Sequence, residues 1–471
     1  MSNTTRVWTT ILGISIAIAV FLAMRSAGMT AAQAWTAAVT ALCAVWWLCE
    51  SLPIPATSLV PFAVFPLVGV LDETEVARSY GHPLVLLFLG GFMLSRAAES
   101  SGAHRRIAEV ILHVVGTTSG RRIVFGFMLA TALCSMWISN TATALMMLPV
   151  ALAVLEQDAS GRLGTPLMLG VAYAATIGGM ATPIGSPPNG VTIAVYETVA
   201  GQGITFPQWM AVGVVVASLM LIAAWIVLTF RLSGAGAIEM PPREAWTSAQ
   251  RRTLAVFSLA AVGWMTRDVP YGGWSSWLGI DTAGDSTVAL LATLCLFLIP
   301  SGDALGKRLL DWQTAATIPW GILILFGGGI AIAAAFDSSG LANVIGGQLA
   351  GLRDWPLVAS IGVVCLSVTF CSEVAGNTAL ANVILPVLGS MAAATDLAPA
   401  LLLLPAGLAT SCGFMLPVAT PPNAIVFGTG RVRMAEMARV GLVLNLIGSA
   451  VITLVCWQLV PLVFGSGMSG G

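Results

Sequence analysis

Trp137-Ile138-Ser139-Asn140-Thr141-Ala142-Thr143-Ala144 is a short polar knot between two apolar arms, each too short to cross a bilayer. The arms occupy residues 123–134 and 145–155, whereas a spanning helix needs about 20 apolar residues. Two half-length helices meeting at a polar tip predict a re-entrant hairpin, because irregular backbone at membrane depth persists only where protein or a wet cavity covers it. A second knot, Ser372-Glu373-Val374-Ala375-Gly376-Asn377-Thr378-Ala379, sits between arms at 356–370 and 380–391. The pair predicts two tips facing each other across a binding site.

Composition agrees. Of 471 residues, 57% are hydrophobic and 9% charged, and mean hydropathy is +0.91. That is too little charge to coat a soluble domain of this size, so the fold class is an all-α polytopic membrane protein. A net charge of −1 leaves no basic stripe to neutralise phosphates, which excludes nucleic acid as a partner. Eight cysteines lie in or beside apolar segments without paired metal-ligand or redox spacing and read as buried small hydrophobes. The first apolar run lacks a strong basic start and a small-residue cleavage site, which argues against a cleavable signal peptide.

In chain order the apolar spans are 8–24, 32–49, 57–71 and 84–98, then the hairpin at 122–156, a broken span at 166–199, and 208–230. After a linker at 231–252 come 253–266, 287–300, 317–335, the hairpin at 355–394, a broken span at 400–428, and 437–464. The expectation is about 11 crossings and two hairpins, with an N-terminal helix (1–31), a first repeat (32–230), a cytoplasmic linker (231–252) and a second repeat (253–471). With the N-terminus cytoplasmic, 16 of the 20 basic residues fall inside and only Arg25, Arg78, Arg267 and Arg353 outside, as basic residues prefer. The C-terminus is then outside.

Three markers recur in order. Phe88-Leu89-Gly90-Gly91 matches Phe326-Gly327-Gly328-Gly329, 238 residues on; Asn140 matches Asn377, 237 on; Asn189 matches Asn423, 234 on. Five crossings separate each marker from its partner, so the repeats are inverted, a plan of secondary transporters whose site lies at the repeat interface. The broken spans align as Gly179-Met180-Ala181-Thr182-Pro183-Ile184-Gly185-Ser186-Pro187-Pro188-Asn189 and Gly413-Phe414-Met415-Leu416-Pro417-Val418-Ala419-Thr420-Pro421-Pro422-Asn423. A lone proline in a membrane helix is usually a kink. A repeated Pro-Pro pair ends one half-helix and suits the first turn of the next, and predicts free carbonyls and free amides beside Ser186 and Thr420.

Helix-end polarity sets the chemistry. At each tip the first arm ends in unpaired carbonyls, which attract cations, and the second begins with unpaired amides, which attract anions. Ser139 and Asn140 offer neutral oxygens suited to an alkali cation, Thr141 and the following amides offer donors to a carboxylate, and Asn377 and Thr378 repeat the arrangement. No Arg or Lys lies near these elements, so a dianion bound here needs its charge offset by helix ends and co-bound cations.

The paired tips and the two Pro-Pro-Asn breaks resemble the divalent anion/sodium symporter family of the ion transporter superfamily, over essentially the whole chain. The resemblance implies a homodimer of scaffold and transport domains in the inner (plasma) membrane, in contact with lipid, importing a small anionic substrate with sodium by an elevator motion and using no organic cofactor. It implies one sodium site at Ser135, Ser139, Asn140 and the Gly185 backbone, and another at Ser372, Ala375, Asn377 and Ala419. Substrate would touch Ser139, Asn140, Thr141, Ser186, Asn377, Thr378, Thr420 and Pro421. One position departs: Gly376 stands where the family usually has serine. The glycine would cost a hydroxyl donor, make room for a bulkier anion, or supply a positive φ that serine resists.

Colder readings apply elsewhere. His82, His104 and His113 lack metal-ligand company and read as solvated; Glu373 reads as satisfying local donors rather than carrying protons. The Trp46-Trp47 pair reads as an interface anchor, and 103–116 and 341–352 as short interfacial helices. Three functions compete. The first is a sodium-coupled dianion symporter, most simply for a C4 dicarboxylate such as succinate, malate or fumarate, with citrate, tartrate or sulfate as alternatives. The second is an exchanger or a membrane subunit fed by a binding protein. The third is an enzyme or channel, against which stand the lack of a nucleophile or carboxylate–histidine set and the poor pore lining that facing hairpins give.

Overall fold

Proline and glycine punctuation cuts the apolar sequence into short helices, and the computed structural model describes residues 3–465 except 159, 233–244, 269–271, 281, 303–305, 349–355 and 395–397. Among these residues there are 23 α-helices and no β-strand. The paired helices α1 (Asn3–Ser26) and α2 (Ala31–Cys49) come first. Thr30 and Gln33 cap α2 reciprocally, and Glu50 ends it in a left-handed turn (φ 46°). The span expected at 57–71 is instead two pieces, α3 (Ile54–Thr57) and α4 (Val60–Leu67). Pro53, Pro55 and Pro61 restart the helix each time, since proline suits a first turn and not an interior.

A polar helix, α5 (Glu73–Tyr80), was not expected; an Asp72–Glu75 capping box starts it. It leads into α6 (Pro83–Ser101) and α7 (Ala103–Val115), the latter where an interfacial helix was expected. Then follow α8 (Gly120–Ser135), α9 (Asn140–Glu156), α10 (Gly164–Gly179), α11 (Pro187–Ala200) and α12 (Phe206–Thr229). The second half comprises α13 (Ser248–Met265), α14 (Gly273–Trp277), α15 (Asp285–Leu298), α16 (Trp312–Ala315), α17 (Trp320–Ser338) and α18 (Leu341–Gln348). It closes with α19 (Leu357–Ser372), α20 (Asn377–Ala394), α21 (Pro399–Ala409), α22 (Pro421–Gly428) and α23 (Met434–Phe464). Residues 349–352 of the expected interfacial helix and 233–244 of the expected linker lie outside the described residues.

Among the described residues, six helical stretches are long and apolar enough to cross a membrane: Thr4–Ser26, Ala31–Cys49, Glu73–Ser101, Phe206–Thr229, Trp320–Ser338 and Met434–Phe464. The chain is thus all-helical with several membrane-length segments. The matched phenylalanines meet, with Phe88 and Phe326 ring centroids 4.6 Å apart, and Gly190 of α11 packs so closely on Phe88 that a Cβ there would lie 2.5 Å from its ring.

Several side chains sit deeper than expected. Trp46 and Trp47 are buried, their indoles donating to Thr10 O and Ser58 Oγ, because α1 and α3 cover them. The histidines are half-buried rather than solvated: His82 caps α6 by accepting from Leu84 N and faces Glu197 at 3.7 Å, while His104 and His113 bond to carbonyls on their own or the preceding helix. Five cysteines are buried, but Cys295 and Cys371 are exposed on helix exteriors.

The two helix breaks are stapled alike. Asn189 Nδ2 donates to Gly179 O (2.8 Å) and Thr182 O (2.7 Å); Asn423 Nδ2 donates to Gly413 O (2.9 Å) and Leu416 O (3.1 Å). Each buried amide replaces the helical donors that the break removes. Asn189→Ala and Asn423→Ala are each expected to cost about 1–3 kcal/mol of stability through unpaired buried carbonyls, read as lowered thermal unfolding in detergent. Unchanged unfolding of both variants would refute the staple.

Candidate functional site

At the first tip, α8 ends at Ser135 and α9 begins at Asn140, and the residues between make the turn. Buried Ser135 donates from Oγ to Ala175 O at 2.6 Å and lies 2.7 Å from the Asn140 amide. That same end of the amide is 3.1 Å from Ala175 O and 3.3 Å from Gly185 O. With its nitrogen inward it donates to all three; with its oxygen inward it completes a cage of oxygens, the ligand type alkali cations take. The cage exists because glycine allows it. A Cβ at Gly179 would lie 2.5 Å from Asn140 Oδ1, and one at Gly185 would lie 2.7 Å from Gly179 O and 2.9 Å from Met136 O. Thr182 locks the break to the tip, donating to Met136 O and accepting from Gly185 N at 3.1 Å.

The second tip joins α19 to α20. Ser372 is buried and its hydroxyl donates to Thr369 O at 2.8 Å; its backbone approaches Gly413, which in turn packs on Ala419. Asn377 Oδ1 is buried without a partner. Glu373 has the structural role expected of it: its carboxylate accepts from Phe414 N (2.8 Å), Met415 N (2.9 Å), Leu416 N (2.9 Å) and Asn445 Nδ2 (2.6 Å). It supplies the acceptor for the amides that follow α21.

All eight expected substrate residues, Ser139, Asn140, Thr141, Ser186, Asn377, Thr378, Thr420 and Pro421, line one cavity of about 410 Å³, with Gly185, Gly376 and Ala419. Of the expected cation ligands, Ser135, Ser372 and Ala375 lie behind its wall. The breaks contribute differently than expected. Pro187, Pro188, Pro421 and Pro422 carry no N–H, Asn189 N bonds to Ser186 O (3.1 Å), and Asn423 N bonds to Thr420 Oγ1 (3.4 Å). These helix starts therefore offer hydroxyls, and amide donors come from α9 and α20. Sequence reasoning also missed Glu50, Ser95 and Trp137 in the lining. Glu50 had a signal in the proline-rich restart after it, which directs the end of α2 toward the cavity. Among the described residues no Arg or Lys lines the cavity, and its one charged side chain is Glu50.

The chain's residues 4–463 match the family model described as the sodium:sulfate symporter transmembrane region. The chain belongs to that family. Within the sodium:sulfate symporter family, it is 38% identical to a protein of Staphylococcus saprophyticus named sodium-dependent dicarboxylate transporter SdcS, over 91% of this chain and 86% of the relative. It is 35% identical to the protein of the same name from Staphylococcus aureus, with the same coverage. Two solved structures share the fold at low identity. The YdaH transporter of Alcanivorax borkumensis has a TM-score of 0.60 and 14% identity, covering 90% of this chain and 98% of its own. MtrF of Neisseria gonorrhoeae has a TM-score of 0.57 and 13% identity, covering 84% of each.

Two variants test the architecture. Gly179→Ala drives a methyl into the Asn140 amide and is expected to show a smaller stabilisation by sodium chloride over choline chloride than wild type in a thermal-shift measurement; a shift equal to that of wild type would refute the cage. Glu373→Ala leaves four donors unpaired, two of them buried, and is expected to cost about 3 kcal/mol or more, with Glu373→Gln losing less because it keeps an acceptor. Equal melting of Glu373→Ala and wild type would refute that role.

Proposed function

We propose that the chain is a sodium-coupled symporter of a divalent anion, most simply a C4 dicarboxylate such as succinate, malate or fumarate. The observation that carries this reading is the cavity. Hydroxyls, asparagine amides and two helix starts converge there with no basic side chain opposite the anion. A dianion taken from water into such a site loses hydration that partial helix charges do not replace, and a co-bound cation supplies the missing charge. The first cation takes Ser135, Ser139, Asn140 and Gly185, where Ser135 Oγ, Ala175 O and Gly185 O converge on the Asn140 amide; the second takes Ser372, Ala375, Asn377 and Ala419, where Asn377 Oδ1 has no protein partner among the described residues. Binding of sodium then precedes binding of the anion. The names of the two staphylococcal relatives support sodium and a dicarboxylate.

The same reading includes two inverted repeats (32–230 and 253–471), re-entrant hairpins at α8–α9 and α19–α20, eleven crossings, a cytoplasmic N-terminus and external C-terminus, and a homodimer whose transport domains move as elevators in the plasma membrane. The identically stapled breaks at Asn189 and Asn423 support the repeats. Membership of the sodium:sulfate symporter family keeps sulfate as the second substrate.

Purified protein in liposomes is expected to take up succinate only with sodium, with cooperative dependence on its concentration. Asn140→Ala and Asn377→Ala are each expected to abolish uptake while eluting at the wild-type size. Full-rate uptake in choline or potassium medium would overturn sodium coupling and leave proton coupling or exchange. Inhibition by malate, fumarate, citrate, tartrate and sulfate ranks the substrates.

A further inference from the structure

The two hairpin tips follow the same backbone path but end their second arms differently. At the first, Ser139 is the N-cap of α9: its hydroxyl accepts from Ala142 N at 3.2 Å, and its carbonyl accepts from Thr143 N at 3.0 Å. At the second, the matching residue is Gly376, whose carbonyl accepts from Leu380 N at 2.9 Å. No side chain is there to accept from Ala379 N, the counterpart of Ala142 N, and among the described residues nothing else does so. Ala379 lines the cavity, whereas Ala142 does not. Nor is the glycine there for its backbone. Its φ is outside the left-handed region, and a Cβ would meet no heavy atom within 4 Å. The missing hydroxyl thus leaves an uncapped amide and open space on one side of the cavity. Asn377 Oδ1, buried and unpartnered, lies on the next residue.

Resting on the proposed transport of a dianion, we infer that one carboxylate of the substrate is the N-cap that α20 lacks. A carboxylate oxygen takes the place of the serine hydroxyl and accepts from Ala379 N, at the end of the helix whose dipole favours negative charge. A sodium on Asn377 Oδ1 neutralises the same end. The first tip has already used its equivalent amide on Ser139, so the two carboxylates of the substrate bind unequally, and the open space at Gly376 admits a substituent on the carbon next to the capping carboxylate. Gly376 is a specificity-determining residue through what it leaves unbonded.

Two full-length variants test this. Gly376→Ser returns the hydroxyl acceptor, which competes with the carboxylate for Ala379 N; Gly376→Ala adds nearly the same volume with no acceptor. In sodium, Gly376→Ser is expected to bind succinate about threefold to tenfold more weakly than wild type, the worth of one hydrogen bond, and Gly376→Ala is expected to lose less. Without anion, Gly376→Ser is expected to melt above Gly376→Ala, because its helix is capped, and to show a smaller shift on adding succinate. Succinate binding by Gly376→Ser that equals or exceeds wild type, or an equal loss in Gly376→Ala, would overturn the inference. If wild type in sodium responds to no dicarboxylate, the transport reading itself fails. Anion-free melting still reads the uncapped amide in that case, and equal melting of the two variants would overturn this inference separately.

Discussion

Every break in a helix at membrane depth exposes backbone donors and acceptors that lipid cannot satisfy, and the protein must find each of them a partner. Four breaks meet around one cavity here, and most of their polar groups are accounted for by a few side chains. Asn189 and Asn423 take the carbonyls left by α10 and α21, Glu373 takes three successive amides after α21, and Thr182 bridges Gly185 to the first tip. Asn377 Oδ1 and Ala379 N at the second tip are left without a protein partner among the described residues, as are the amide oxygens of Asn189 and Asn423 at the breaks.

The parts legible in the sequence were those that interrupt hydrophobicity. The polar knots at 139–141 and 376–378 and the two Pro-Pro-Asn stretches each mark a helix start, α9 at Asn140, α20 at Asn377, α11 at Pro187 and α22 at Pro421, although the second arms begin five and three residues before the expected 145 and 380. Their convergence on one cavity followed from the repeat spacing. Less legible was what each interrupted residue does. Asn189 and Asn423 mark the breaks from the sequence but point into the backbone, and the prolines beside them remove the very amides that a helix start would offer. Trp46 and Trp47 were misread because an indole suits an interface and a packed core equally, and only the fold of α1 and α3 over them decides. The split of α3 from α4 was signalled by prolines, yet a window of apolar residues reads through them.

Charge explains why such a site would be tied to a cation. Each helix start carries about half a charge at most, and the cavity faces Glu50, which opposes an anion. Glu50 also holds a left-handed backbone turn rarely taken by residues other than glycine, a strain of about 1–2 kcal/mol. A side chain kept at that cost beside the proposed anion site favours cations in the same cavity. An arginine in its place would hold the anion without sodium, and the binding of one ion would no longer depend on the other.

Under the proposed inverted repeats the two tips form nearly equivalent half-sites, and succinate and fumarate have two equivalent ends, so a symmetric site would accept such a substrate in either direction. Only a difference between the tips can remove that degeneracy. The fold keeps the backbone equivalent, as the matching Thr143–Ser139 and Leu380–Gly376 bonds require, so the difference has to come from a side chain. A serine that closes one helix and a glycine that leaves the other open is the smallest such difference, since it changes one hydrogen bond and leaves both helices in register. The free donor and the unpartnered Asn377 oxygen then both belong to the first turn of α20, so in the proposed mechanism the cation and the carboxylate share one helix start and neither would be well held there without the other.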